Sequence, residues 1–335
     1  MHKRPSGAAG RAFSLGLTGW LLVALATSAA RAVERPLVMT TVVFKEVGDT
    51  KIEADVYHFD DAPGGDNPPR PVVVHIHGGA LMMGSRRGLP YNLRDACQQA
   101  GLAVVSIDYR LAPEVLVPEI IEDVRDAFRW VRGAGAERFH FDPSKVAVTG
   151  GSAGGYLTMM TGCAVEPRPV ALVAYFGYGD IDGPWLTTPS EHYRKTVPLI
   201  DEATARGVVG GEVLSGSVSG GKDRKQFYLW CRQNGHWPRE VTGWDPDRDR
   251  DKFTHYCPVR SLGADYPPIL MIHGTADTDV PVDTSKAMAA ALAERKLPLE
   301  LILIPNGEHG LGGGDKKLVA DAHQRAIAFL RKHLQ

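Results

Sequence analysis

Residues 145–162 read KVAVTGGSAGGYLTMMTG. The first part, KVAVT, is a short apolar run rich in β-branched residues, the pattern of a strand buried on both faces. The last part, YLTMMTG, reads as a helix. Between them stand Gly150-Gly151-Ser152-Ala153-Gly154-Gly155. A Gly-x-Ser-x-Gly at a strand-to-helix turn is the sequence form of a nucleophile elbow. The serine there sits on a sharp, strained turn, so the residues two before and two after must lack side chains. The helix that follows aims its free N–H groups and its dipole at the serine, favouring negative charge.

Working outward, seven more runs of strand character appear, giving 39–47, 51–59, 71–76, 103–108, 145–149, 170–176, 268–273 and 299–304. The first two alternate in polarity and are joined by Gly48-Asp49, which predicts an antiparallel hairpin. The other six are nearly unbroken apolar runs suited to parallel strands. Helical patterns lie between them at 118–132, where Ile121, Val124, Phe128 and Val131 repeat at 3- and 4-residue spacing, and at 284–296 and 316–333. The alternation implies one doubly wound α/β sheet, mostly parallel and eight-stranded, with helices on both faces. One segment, about 177–267, shows no clear strand and turns aromatic, Gly-rich and charged. An insertion this long in a compact domain is expected to form a cap or lid over a site. The charge run at 239–252 reads as solvated surface.

A serine hydroxyl needs a base to take its proton, and the base needs an orienting acid. Sites in open α/β sheets form beyond the carboxyl ends of the strands. After the run ILMIHG stands Asp277, and after LILIP stands His309, so Ser152, Asp277 and His309 are expected on one edge. Asp279 and Asp283 compete with Asp277, which comes soonest after its strand. Glu308 reads as surface and His273 as a core histidine. His75 and His77 form an H-x-H pair without a third ligand nearby, which reads as structural. A tetrahedral oxyanion needs donors, for which the N–H of Ala153 and the His77-Gly78-Gly79-Ala80 loop are the candidates.

The chain has 335 residues with 44% hydrophobic and 23% charged side chains, a composition that excludes a mainly disordered protein. Thirty-eight Lys and Arg stand against 39 Asp and Glu, a net charge of −1 that gives no sign of nucleic-acid binding. Residues 1–32 hold Lys3, Arg4, Arg11 and Arg31 and no acid. They continue with an apolar run, Phe13 to Ala26, and close on Ala30-Arg31-Ala32. This is the pattern of a cleaved secretory leader over 1–32, preceding a single domain over 33–335. The run is short of the roughly 20 apolar residues of a membrane span, although an uncleaved anchor is the competing reading. A secreted or periplasmic location follows, with no membrane span after processing. Export would expose Cys97, Cys163, Cys231 and Cys257 to oxidation. Cys231 and Cys257 share one irregular stretch and form the expected disulfide, with Cys163 a buried free thiol.

Five motifs, HIHGGA at 75–80, DYRLAPE at 108–114, GGSAGG at 150–155, HGTADTDVP at 273–281 and GEHG at 307–310, together resemble the α/β-hydrolase fold. Within it they look like the acetyl esterase/lipase branch related to hormone-sensitive lipase, and like bacterial feruloyl and acetyl esterases. The likeness covers about residues 39–335. It implies a serine carboxylesterase with a Ser152–Asp277–His309 triad, oxyanion donors Gly78, Gly79 and Ala153, no cofactor, and a small-molecule or carbohydrate ester as substrate. Two departures stand out. Ala80 replaces a third glycine, as in the polysaccharide-deacylating branch, and Gly151 replaces an acidic residue. The other readings are a surface lipase, a serine peptidase of the prolyl-oligopeptidase type, which normally carries a propeller domain ahead of the hydrolase, and a non-catalytic binding protein on the same scaffold.

Overall fold

The structure, a computed structural model, describes residues 37–59, 67–216 and 223–335. The leader expected over 1–32 lies outside them. The eight expected strands are all formed: β1 (Leu37–Val47), β2 (Thr50–Phe59), β3 (Arg70–Ile76), β4 (Ala103–Ile107), β5 (Phe141–Gly151), β6 (Leu172–Tyr175), β7 (Ile269–Gly274) and β8 (Leu299–Ile304). They make one sheet in the order β1-β2-β4-β3-β5-β6-β7-β8. β1 and β2 form the predicted hairpin, with Val47 opposite Thr50 across Gly48-Asp49. β2 pairs antiparallel with β4, and every pairing from β4 to β8 is parallel.

The helices before the insertion are α1 (Tyr91–Gln99), α2 (Val117–Arg132), α3 (Ala134–Phe139) and α4 (Ala153–Ala164). The insertion supplies α5 (Pro184–Thr187), α6 (Glu191–Thr196), α7 (Glu202–Arg206), α8 (Lys225–Asn234), α9 (Trp237–Thr242) and α10 (Arg250–Thr254). The chain ends with α11 (Val282–Glu294) and α12 (Lys316–Leu334). α2 starts where its sequence says it should, with proline in the first turn, whose missing N–H costs nothing there. Its Ile121, Val124, Phe128 and Val131 are all buried.

Successive strand residues serve opposite faces. Val72, Val74, Val105, Val148 and Met271 join the core on the side of α2 and α4, whereas Val73, Val104, Ala147, Val173 and Leu270 join the core beneath α1 and α12. Both sides of the central strands are therefore dry, which is why these runs carry no polar alternation. Each fully buried Val or Leu contributes about 1.5–3 kcal/mol relative to exposure.

The four cysteines are separate thiols, which corrects the expected Cys231–Cys257 bridge. Cys231 is buried on α8. The thiol of Cys257 donates to Asp182 Oδ1 at 3.6 Å and accepts a hydrogen bond from Arg260 at 2.8 Å, so its sulfur is engaged by its own neighbours. Burial pushes the thiols of Cys97 and Cys163 up to about 12, which leaves them unreactive. No helix of the described residues is long and apolar enough to cross a membrane.

Candidate active site

β5 ends at Gly151 and α4 begins at Ala153, so Ser152 occupies the single residue between them, at φ 57° and ψ −123°. A serine in that conformation carries about 1–3 kcal/mol of backbone strain. Two backbone bonds hold it there: its N–H donates to Tyr175 O at 3.0 Å, and its carbonyl accepts from Tyr156 N–H at 3.0 Å. Close approach demands the glycines. A Cβ on Gly154 would stand 2.0 Å from Ile76 O, so α4 can press against the end of β3 only without a side chain there.

The parallel strands bring the other two residues to the same edge. Asp277 follows β7 and His309 follows β8, and the loops are tied together by Glu308, which accepts from Thr278 N–H at 3.1 Å and its hydroxyl at 2.9 Å. Glu308 is exposed, as expected. His309 Nδ1–H donates to Asp277 Oδ2 at 2.8 Å. That bond fixes the tautomer and leaves Nε2 as the basic nitrogen. Asp277 Oδ1 accepts the backbone N–H groups of Asp279 (2.9 Å) and Val280 (2.8 Å). Burial alone would raise the Asp277 carboxyl, but hydrogen bonds from His273 and His309 outweigh it and hold the group well below the usual carboxylate range. Burial pulls His309 down, yet its bond to Asp277 and the charges of Asp279 and Asp277 prevail and raise it.

Nε2 faces Asp279 Oδ2 at 3.6 Å, and the structure does not join it to the Ser152 hydroxyl by a hydrogen bond. Catalytic hydrogen bonds commonly tighten only in the substrate complex. Phe176 packs edge-on to His309 at 4.9 Å, and its ring would lie 2.8 Å from a Cβ on Gly151, the residue before the serine.

The loop after β3 lies beside the serine. A Cβ on Gly78 would come within 3.3 Å of Ser152 Cβ and 2.8 Å of Gly151 O. Gly79 has φ 109°, and its carbonyl accepts from Met82 and Met83 N–H groups at 3.0 Å. Gly78 thus lies against Ser152, and Ala153, the first residue of α4, follows the serine directly.

A family model for the alpha/beta hydrolase fold matches residues 73–312. The chain belongs to this family. Esterase LipC of Mycobacterium tuberculosis is 27% identical to this chain over 261 residues, covering 76% of this chain and 56% of that protein. A non-reducing polyketide synthase, adrD, of Penicillium rubens is 27% identical over 341 residues, covering 88% of this chain and 14% of the synthase. The chain therefore spans only part of the length of these curated relatives. Among solved structures, the butyrate-bound esterase Est2 of Thermogutta terrifontis superposes with a TM-score of 0.61 at 23% identity, over 88% of this chain and 94% of that one.

The H-x-H pair of this hydrolase is internal. His75 Nδ1 meets Ser106 Oγ at 2.9 Å, and His77 Nδ1–H donates to Gly78 O at 2.7 Å while its ring stacks on Tyr109 at 4.3 Å. Burial brings them to about 3 and about 4, so both are neutral. Among the described residues no three His, Cys, Asp or Glu side chains cluster as metal ligands. His273 is fully buried, accepting from Ser285 Oγ at 2.7 Å and donating to Val280 O at 2.9 Å, but it also lies 3.3 Å from Asp277 Oδ2. Its four-residue spacing from Asp277 was the one sequence signal for that second role.

Four residues of the insertion escaped the sequence reading. Trp237 donates to Ala80 O at 3.1 Å, and Arg224 donates to Met82 O at 2.6 Å and pairs with Glu114. Arg232 Nη1 donates to Asp279 Oδ1 at 2.7 Å and to its carbonyl at 3.0 Å, and the Tyr228 hydroxyl bonds the same Oδ1. Their partners lie 47 to 157 positions away, and no local pattern marks them. A cavity of about 890 Å³ between α1 and α12 backs onto Gly150 and Gly151 but is lined by neither Ser152 nor His309.

Proposed function

We propose that this hydrolase is a carboxylic ester hydrolase that removes small acyl groups, acetyl or feruloyl, from carbohydrate, through a Ser152–His309–Asp277 triad. The observation that carries the reading is the 2.8 Å bond from His309 Nδ1 to Asp277 Oδ2, at the sheet edge where Ser152 is held in its strained turn. LipC supports the type of bond cleaved, and Ala80 in place of a third glycine supports a carbohydrate alcohol. We assign the action to the secreted or periplasmic space, after removal of residues 1–32.

Ser152 Oγ attacks the ester carbonyl carbon as His309 Nε2 takes its proton. The carbonyl oxygen becomes an oxyanion and receives the N–H groups of Gly78, Gly79 and Ala153. His309 returns the proton to the alcohol oxygen as the C–O bond breaks, leaving an acyl-serine. Water then repeats the sequence, releasing the acid and restoring Ser152. Asp277 stays ionised throughout and stabilises the imidazolium.

The test is a panel of p-nitrophenyl esters from acetate to palmitate beside acetylated xylan and methyl ferulate, with wild type and Ser152→Ala. Short esters and the polysaccharide should be turned over by the wild type, and Ser152→Ala should lose at least about a thousandfold while keeping its fold. Near-normal turnover by the folded variant refutes the triad. A preference for palmitate refutes the small-acyl assignment.

A further inference from the structure

Asp279 is not needed to orient His309, because Asp277 already holds Nδ1. It nevertheless sets a second carboxylate 3.6 Å from Nε2, on the reacting side of the ring. For a general base this placement is unfavourable, since a negative charge there holds on to the proton and competes with the serine. The group is also held in place. Arg232, buried on α8, and the Tyr228 hydroxyl both bond to Oδ1, and the side chain is only 17% exposed. Oδ1 is thus occupied, and Oδ2 faces His309 Nε2, the nitrogen that would hand its proton to the departing alcohol.

An ionised carboxylate only accepts hydrogen bonds, so whatever meets Oδ2 must donate one. The scissile oxygen sits within hydrogen-bond reach of Nε2, and the oxygen of a vicinal hydroxyl, three bonds along the alcohol, stands about one hydrogen-bond length from it, within reach of Asp279. Resting on the esterase reading, we infer that Asp279 is a specificity-determining residue that accepts a hydrogen bond from a hydroxyl next to the scissile ester oxygen, so that the preferred substrates are monoacylated vicinal diols. An alcohol lacking that hydroxyl takes water away from Oδ2 without giving it a donor, which penalises it.

The closest comparison is 2-hydroxyethyl acetate against propyl acetate, which differ by a hydroxyl in place of a methyl group, followed by pH-stat titration. Wild type should favour the hydroxy ester in kcat/KM by about tenfold or more, the size of one hydrogen bond to a charged group. In Asp279→Asn, and in Asp279→Ser, the ratio should collapse toward one, with thermal melts reporting the fold. A role confined to latching the insertion would lower both rates and leave the ratio unchanged, and that result overturns the proposal. Equal rates for the two esters in wild type overturn it without any variant. Loss of the serine mechanism would show instead as retained activity in Ser152→Ala, whatever the ratio.

Discussion

Replacing Asp277 by asparagine changes one atom and should disable the histidine. The carboxylate receives Asp279 and Val280 N–H groups on Oδ1 and His309 Nδ1–H on Oδ2. Asparagine can keep the two backbone bonds with its carbonyl oxygen, which turns its NH2 toward His309. Two donors cannot face each other, so the imidazole moves its proton to Nε2, and Nε2 can then no longer accept the serine proton. Losing one hydrogen bond to a charged group costs about 1.5–3 kcal/mol, roughly ten- to a hundredfold, which sets the lower end. A fully wrong tautomer costs about 10⁴-fold, or roughly 5 kcal/mol, at the upper end. The assay is kcat on p-nitrophenyl acetate, with a thermal melt to show that the fold survives. Asp279→Asn should lose far less on this substrate. A folded Asp277→Asn within about threefold of wild type, together with a large loss in Asp279→Asn, would move the acid to Asp279 and refute the reasoning.

Other outcomes follow from the same geometry. Because neutral His309 is the active form and its value is raised, kcat/KM should climb with pH through a midpoint above about 6.5 and vanish below it; a midpoint under 6 in a pH–rate profile would contradict this. The depressed Asp277 stabilises the folded state above its unfolded value of about 4, and that contribution should fade as pH falls further, a loss seen in melts of wild type but reduced in Asp277→Asn. Gly154→Ala sets a methyl 2.0 Å from the backbone oxygen of Ile76 and should destabilise by about 3 kcal/mol or more, lowering Tm by roughly 6–12 °C; a shift under about 2 °C would mean that α4 can slide. Exported protein should begin at Val33 by mass spectrometry, and a species retaining residues 13–26 would support an anchor instead.

The sheet was legible because each central strand announces itself by burying both faces, as Val72, Val73 and Val74 do in turn. Ser152, Asp277 and His309 were legible because each follows its strand closely, so topology alone gathers them. The insertion was not. Its helices run from 4 to 10 residues, too short for a period of 3.6 to stand out, and they take their stability from packing. Short α3 was missed for the same reason. Asp279 could be named as a rival acid but not given its position, since that depends on Tyr228 and Arg232 arriving from another element. The Cys231–Cys257 expectation failed because nearness along the chain says nothing of nearness in space.

The carbonyls of Ala80 and Met82 are capped by Trp237 and Arg224, one loop gripped from two points on the insertion. Seen as a module for exchange, the insertion is not separable from the stretch at 77–86. A chimera that borrows an insertion without these two side chains while keeping this loop would take from two of its peptide oxygens the donors they have here. Exchanging the insertion in this scaffold thus means moving both pieces together, so that Trp237 and Arg224 keep the loop they grip.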